Sequence, residues 1–115
     1  ERLLLDLIDG GAQSPKESWL RVLLIEAGFP RPQTQIPVLA PDGYPRYFLD
    51  LGWPDLKIAV EYDGDHHRTD RRTFYKDIRR AEAISELGWI HIRVTVEDTE
   101  GGILHRIATA IARRT

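Results

Sequence analysis

Prolines and glycines divide this chain into short segments, and the spacing of apolar residues changes from one segment to the next. Pro30 and Pro32 exclude a helix where the first long apolar run ends, and three strand-like segments follow before helical spacing returns. The patterns predict helices over 1–9, 14–28, 70–87 and 99–113, and strands over 34–39, 44–51, 56–62 and 89–96. Three consecutive strands and a helical crossover to a fourth predict an α/β fold. We expect an αβββαβ core whose mixed four-stranded sheet is flanked by helices, with an extra C-terminal helix.

Composition limits the classes of protein to which the chain can belong. The 115 residues suffice for a single domain over 1–115, with residues 1–13 as an N-terminal helix or lead-in. The absence of cysteine excludes disulfide scaffolds, cysteine nucleophiles and thiolate zinc sites. The net charge of -2 excludes a uniformly basic nucleic-acid binder, although it leaves room for a local basic patch.

The chain carries no pattern typical of a membrane or secreted protein. Its longest apolar run is four residues, which is too short to cross a membrane, and no signal-peptide pattern opens it. We therefore expect a cytoplasmic protein with no membrane partner. Because the chain begins at Glu1 and contains no methionine, we also expect it to be a piece of a longer protein whose other domains are its partners.

Acidic residues on three predicted elements are expected to converge. Glu61 stands inside a strongly apolar strand, which is an unusual place for an acid. Because strand side chains alternate, Glu61 and Asp63 point to one face. Asp50 reaches the same end of the sheet if its strand pairs with that of Glu61 through the turn at 52–55. Glu17 prolongs the inward apolar stripe of the helix over 14–28 by one turn.

Such an arrangement of carboxylates points to a metal site. Carboxylates that lie close together repel one another and raise each other's pKa unless a positive charge lies between them. A divalent cation, Mg²⁺ or Mn²⁺, is the natural partner, because hard cations prefer oxygen ligands and keep waters for chemistry. On this basis we expect Glu61→Gln to leave the thermal midpoint unchanged or higher, since it would relieve repulsion in the metal-free site.

Local structural roles would also account for three of these acids. Glu17 fits a capping box that begins at Ser14. Asp50 would cap a turn at Gly52, and Asp63 would belong to the turn sequence Asp63-Gly64-Asp65. Glu61 has no comparable structural role, because it lies inside a strand.

A basic segment follows the acids. Residues 68–80 contain six basic and two acidic residues, a net charge of +4. The basic residues, which we interpret as nucleic-acid-binding, are Arg68, Arg71, Arg72, Lys76, Arg79 and Arg80. The alternative is a solvated helix face on which Asp77 and Arg80 pair at a spacing of three. His66 and His67 would contact phosphate or transfer protons, or form a solvated loop pair. A zinc site is disfavoured, because His91 and His105 lie elsewhere in the sequence.

These residues together resemble a known family. Asp50, followed eleven residues later by Glu61-Tyr62-Asp63, resembles the D…(D/E)xK signature of the restriction-endonuclease-like PD-(D/E)xK nuclease superfamily. Residues 12–112 are similar to a very-short-patch-repair-endonuclease-like group of bacterial domains. The similar pieces are Ser14-x-x-Glu17, Asp50, Glu61-Tyr62-Asp63-Gly64-Asp65-His66-His67, Asp77-x-x-Arg80 and Gly88-Trp89-x-x-x-Arg93.

The resemblance implies a set of site residues. Asp50 and Glu61 would bind Mg²⁺ or Mn²⁺, and the backbone carbonyl of Tyr62 would be a further ligand. Glu17 would occupy the acidic position of the first helix, and His67 the histidine position after the glycine. Together with Asp63, these four side chains form the predicted catalytic set.

The resemblance also implies an activity and leaves one position open. Asp63 stands where the superfamily has a lysine, so either Asp63 binds a second metal ion, or His67 or Lys76 replaces the lysine. The implied reaction is hydrolysis of DNA phosphodiester bonds by a metal-held water. The alternative is a catalytically inactive nuclease-fold module that binds DNA or a protein partner.

Overall fold

The computed structural model describes residues 14–64 and 70–115. Its seven elements are α1 (Pro15–Glu26), β1 (Gln33–Leu39), β2 (Pro45–Trp53), β3 (Ile58–Tyr62), α2 (Arg71–Glu86), β4 (Ile90–Val94) and α3 (Glu100–Arg114). This order confirms the predicted α/β core with its extra C-terminal helix, and each boundary lies within two residues of the prediction. The predicted helix over 1–9 lies outside the described residues. Among the helices of these two ranges, none has the length and apolar character needed to cross a membrane.

Local side-chain chemistry sets the helix boundaries. Ser14, Asp70 and Thr99 each accept a backbone N–H of the first helical turn, which satisfies donors that have no partner inside the helix. Gly28 and Gly88 follow the ends of α1 and α2 at φ angles of 94° and 92°. Glycine adopts this left-handed conformation at little cost, so it ends a helix cleanly.

The sheet is mixed, with the strand order β1-β2-β3-β4. β1 pairs with β2 and β2 with β3 in antiparallel fashion, whereas β4 lies parallel to β3. β2 extends two residues beyond the predicted end, so the chain reverses over residues 54–57 rather than at Gly52. In this register Leu51 pairs with Val60, which brings Asp50 and Glu61 to the same level of the sheet.

Each face of the sheet buries a separate apolar cluster. The larger cluster joins α1 and α3 to the sheet through Leu20, Leu24, Leu51, Trp53, Ile58, Val60, Ile92, Val94, Ile103, Ile107 and Ala110. The smaller cluster joins α2 to the sheet through Ile36, Val38, Leu49, Ala59 and Ile84. Along β3, Val60 and Ala59 belong to opposite clusters, as strand alternation predicts. Glu61 has the parity of Ala59 and therefore faces α2.

The apolar stripe of α2 departs from expectation. Helical spacing predicts a buried face made of Phe74, Ile78, Ala81, Ile84 and Leu87. Only Ile84 is buried, whereas the first two of these residues and the last are 41–46% exposed. The middle of α2 instead presents Asp77 and Arg80 to polar groups of the sheet. The 3.6-residue period identifies the helix correctly, but it does not reveal that half of its inner face is polar.

Close approach of β2 to β3 depends on the absence of a side chain at Gly52. A Cβ atom built there would overlap the backbone carbonyl of Ile58 and lie 3.1 Å from the Cα of Ala59. We expect Gly52→Ala to lower the free energy of unfolding by about 1–3 kcal/mol, measured by urea denaturation. Gly101→Ala is the matched control, because its added methyl group would meet open space. An equal loss in both variants would contradict this account of the β2–β3 contact.

Candidate functional site

Glu61 lies at the centre of a polar cluster between β3 and α2. Its side chain is 9% exposed, and both carboxylate oxygens have partners. Arg80 donates from Nη1 to Oε1 at 2.8 Å and from Nη2 to Oε2 at 2.7 Å. His91 Nε2 is hydrogen-bonded to Oε1 at 2.7 Å. The two parallel N–H···O bonds from one guanidinium form the strongest type of neutralising contact available to a carboxylate.

Asp50 lies beside Glu61 but has a different environment. Its backbone N–H donates to Glu61 Oε2 at 3.3 Å, and its side chain is half-buried. Within residues 14–64 and 70–115, no hydrogen bond or ion pair is made to its carboxylate. Burial, together with the nearby charges of Glu61 and Glu17, raises the pKa of Asp50 from 3.8 to about 7, although the Arg80 charge acts in the opposite direction. This carboxyl group therefore changes charge near neutral pH.

The pKa of Glu61 moves in the opposite direction. Burial on its own would raise the pKa of Glu61, but hydrogen bonds from Arg80 and His91, together with their charges, outweigh burial and lower it to about 2. Two adjacent carboxyl groups thus hold protons over different pH ranges because one has cationic partners and the other has none. Such pairs of separated pKa values are typical of acid–base and metal chemistry, although structural ion pairs produce them as well.

A cleft of about 250 Å³ opens beside the two acids. Seven described residues line it, namely Asp50, Glu61, Tyr62, Asp63, Asp77, Arg80 and Arg93. Arg93 Nη2 lies between two carboxylates, 2.6 Å from Asp77 Oδ2 and 3.2 Å from Asp63 Oδ1. Acidic and cationic groups therefore alternate around the cleft, which suits it to an anionic ligand combined with a cation.

The predicted acids differ in what the structure assigns to them. Asp50, Glu61 and Asp63 line the same cleft. The N–H of Glu17 donates to Ser14 Oγ at 3.1 Å, as the capping box predicts, and the charge of Glu17 also acts on Asp50. Asp50 does not cap a turn at Gly52, because that glycine lies inside β2. His66 and His67, like Arg68, lie outside the described residues.

The basic residues of α2 face two directions. Arg80 turns inward to Glu61 and also donates to the backbone carbonyl of Phe48 at 2.7 Å. The pairing of Asp77 with Arg80, which the alternative interpretation of this segment includes, is not observed, because Asp77 binds Arg93 instead. Arg79 is exposed and bonds to Glu82 and to the Tyr75 hydroxyl. Three further basic residues that are predicted to contact phosphate are also exposed on α2, namely Arg71, Arg72 and Lys76.

The site residues predicted from the sequence do not include two members of the cluster, His91 and Arg93. His91 is thirty residues from Glu61, yet the two side chains are hydrogen-bonded. The parallel register places His91 opposite Ala59 and Arg93 opposite Glu61, so both side chains share the acid's face. The available signal was the alternation of Ile90-His91-Ile92-Arg93-Val94, in which the polar residues fall on one side.

The side chains fit a divalent cation in part. Within the described ranges, no group of three His, Asp or Glu side chains is arranged to hold an ion. The carboxylate of Asp50 has no hydrogen-bonding partner there and lines the same cleft as Glu61, so the two acids offer the oxygen ligands that Mg²⁺ prefers. Tyr62 lines the same cleft. The guanidinium of Arg80 is at present bound to the Glu61 oxygens that such an ion would need.

The contacts of Glu61 reverse one expectation about stability. Glu61→Gln would relieve the repulsion between Glu61 and Asp50, but it would also leave the partly buried Arg80 guanidinium without its carboxylate partner. We expect the variant to lose about 3 kcal/mol of unfolding free energy in denaturation at pH 7 with chelator present. Glu82→Gln, which removes an exposed ion pair with Arg79, should cause no measurable loss. A midpoint for Glu61→Gln at or above that of the wild type would refute the stabilising role of the Arg80 contact.

Asp50 should make the metal-free fold less stable as the pH rises. An acid whose pKa is higher in the folded than in the unfolded state loses stability between those two values, here from about pH 4 to about pH 7. We expect Asp50→Asn to raise the unfolding free energy at pH 8 by about 1–2 kcal/mol, allowing for solvent screening of a half-exposed group. The gain should disappear near pH 4. Denaturation of both proteins at several pH values in chelator measures this, and a pH-independent difference would contradict it.

Comparisons with known proteins give relatives without a described activity. The chain is 34% identical over 114 residues to two uncharacterized proteins from two strains of Mycobacterium tuberculosis. The match covers 97% of this chain and 41% of each relative, so the chain spans well under half the length of the curated relatives it matches. No model of a known protein family matches the chain. No solved structure matches it either.

Proposed function

We propose that this chain is a metal-dependent endonuclease-like domain that hydrolyses phosphodiester bonds of DNA. We also propose that it belongs to the restriction-endonuclease-like superfamily, close to the very-short-patch-repair-endonuclease-like group. One observation carries the proposal. Asp50 and Glu61 lie side by side on adjacent strands, and the Asp50 carboxylate has no hydrogen-bonding partner in the described chain. They open onto a cleft that also contains two guanidinium groups.

Each group around the cleft has a role in this proposal. Asp50, Glu61 and the backbone carbonyl of Tyr62 would hold Mg²⁺ or Mn²⁺. When bound, the ion supplies positive charge to the phosphoryl oxygens and lowers the pKa of a water molecule. Arg80 and Arg93 place positive charge where the phosphodiester group would lie, which stabilises the charge that develops during hydrolysis. Glu17, Asp63 and His67 complete the proposed catalytic set.

Binding of the rest of the DNA falls to the basic segment. Arg71, Arg72, Lys76 and Arg79 are exposed on α2, and Arg68 precedes them in sequence. Exposed basic side chains contact backbone phosphates without reading the sequence. The superfamily's lysine position is held here by Asp63, which is bound to Arg93. Among the described residues that line the cleft, the cationic side chains are Arg80 and Arg93, and Lys76 is not one of these residues. We therefore favour the two arginines as the groups that replace the superfamily's lysine.

The setting of this activity is part of the proposal. Because the two curated relatives are more than twice as long as the matched segment, we propose that the domain works within a longer protein and that its other domains are partners. We place it in the cytoplasm, where bacterial DNA is accessible.

A second function is favoured by the Arg80 contact. The guanidinium of Arg80 bonds to both oxygens of Glu61. If these two bonds never break, Glu61 cannot bind an ion. The chain would then be an inactive nuclease-fold module that binds DNA or a protein partner through the same basic surface.

Cleavage assays on the 115-residue chain test the proposal. Labelled duplex, mismatched, branched and single-stranded DNA would be incubated with Mg²⁺ or Mn²⁺ and, separately, with chelator. We expect cleavage that requires the metal and that falls by at least about 100-fold in Asp50→Asn. Asp55→Asn is the matched control, because it changes an exposed aspartate of the β2–β3 turn and should leave the rate unchanged.

The other outcomes are also informative. DNA binding without cleavage under any metal condition would favour the inactive module. Metal-dependent cleavage that survives Asp50→Asn would exclude the proposed site. If the chain neither binds nor cleaves any of these DNAs, the endonuclease and the DNA-binding module are both contradicted, and a module that binds a protein partner is left.

A further inference from the structure

The Arg80 guanidinium occupies the position that a metal ion at Glu61 would need. Its two terminal nitrogens bond to the two Glu61 oxygens at 2.8 and 2.7 Å. Glu61 Oε2 is also the oxygen that faces the Asp50 backbone, at 3.3 Å from its nitrogen. An ion shared by the two carboxylates would therefore compete with Arg80 for Oε2. His91 bonds to the other oxygen, so it does not stand in the way.

Arg80 also has contacts that do not involve Glu61. Its Nη2 donates to the Phe48 carbonyl at 2.7 Å, and its Cζ lies 5.9 Å from the centre of the Tyr47 ring. These contacts would keep the side chain at the edge of the cleft after it left the carboxylate. An arginine held there, with its fork free, matches the oxygens of a phosphodiester group.

We propose that Arg80 is an exchange residue: it neutralises Glu61 in the metal-free protein, and a divalent cation displaces it toward the phosphodiester group of the substrate. This inference rests on the proposed metal site. Its consequence is thermodynamic coupling. A phosphodiester that binds Arg80 weakens the competition for Glu61, so metal and phosphodiester should each increase the affinity for the other by the same factor.

Calorimetric titration with Mn²⁺ tests the exchange without reference to activity. Removing the competing guanidinium in Arg80→Gln should raise the Mn²⁺ affinity by about tenfold, as expected when a competing state hides most of the site. Arg113→Gln is the matched control, because it removes an exposed arginine of α3 that does not line the cleft and should leave the affinity unchanged. Arg80→Lys keeps the charge but cannot form the fork, so its affinity should lie between those of the wild type and Arg80→Gln.

A second titration tests the exchange even if Arg80→Gln does not fold, because its main comparison needs the wild type only. Mn²⁺ is titrated in dimethyl phosphate and in chloride at equal ionic strength. We expect the phosphodiester to raise the Mn²⁺ affinity about fivefold in the wild type and to have no effect in a folded Arg80→Gln protein.

Failure of this inference and failure of the metal site give different results. Mn²⁺ binding by the wild type that is unchanged or weakened in folded Arg80→Gln would overturn the exchange and leave the metal site standing. Wild-type binding that ignores dimethyl phosphate would also overturn it. Absence of Mn²⁺ binding in both proteins would overturn the metal site itself, whereas binding in Arg80→Gln alone would support the exchange in its strongest form.

Discussion

A buried carboxylate near the end of an otherwise apolar strand needs a neutralising partner for the sheet around it to be stable. In this protein the guanidinium of Arg80 meets that requirement with two parallel hydrogen bonds to Glu61. The contact accounts for the polar inner face in the middle of α2, because the helix presents Arg80 there instead of an aliphatic residue. The two apolar clusters lie on opposite faces of the sheet, and Glu61 is on the face of the smaller one.

The two acids of the site illustrate how strongly the partner of a group decides its chemistry. Asp50 and Glu61 share the same end of the sheet and act on each other's charge. One has an arginine and a histidine as partners, and its pKa falls to about 2. The other has neither, and its pKa rises to about 7. Burial disfavours the charged form of both groups, so the difference comes from the side chains that α2 and β4 bring to Glu61.

Much of this fold follows from local rules of sequence. Helix caps such as Ser14 and Asp70 and the apolar periods of each segment place every described element within two residues of its position. The juxtaposition of Asp50 and Glu61 also follows, because strand parity and a short turn between β2 and β3 leave few alternatives. These features depend on residues that are close together in the chain.

Contacts between distant segments could not be predicted in the same way. The alternation of side chains along β4 assigns His91 to one face of the strand. Which residues of β3 lie beside His91 on that face depends on the parallel register of β4 against β3. Helical spacing suggests that Asp77 pairs with Arg80, whereas each of them finds a closer opposite charge on the sheet. The exposure of the apolar stripe of α2 could not be predicted for the same reason. Whether such a stripe is buried depends on how much apolar surface the sheet presents to the helix.

The parallel pairing of β3 with β4 has a consequence for the order of folding. β1, β2 and β3 are joined by short links and can pair early, but β4 reaches β3 only after the crossover through α2 has formed. Arg80 and His91 both lie in the segment that arrives late. Without that segment Glu61 has no cationic partner, and burying it alone would cost free energy, so completion of the sheet and assembly of the polar site are coupled.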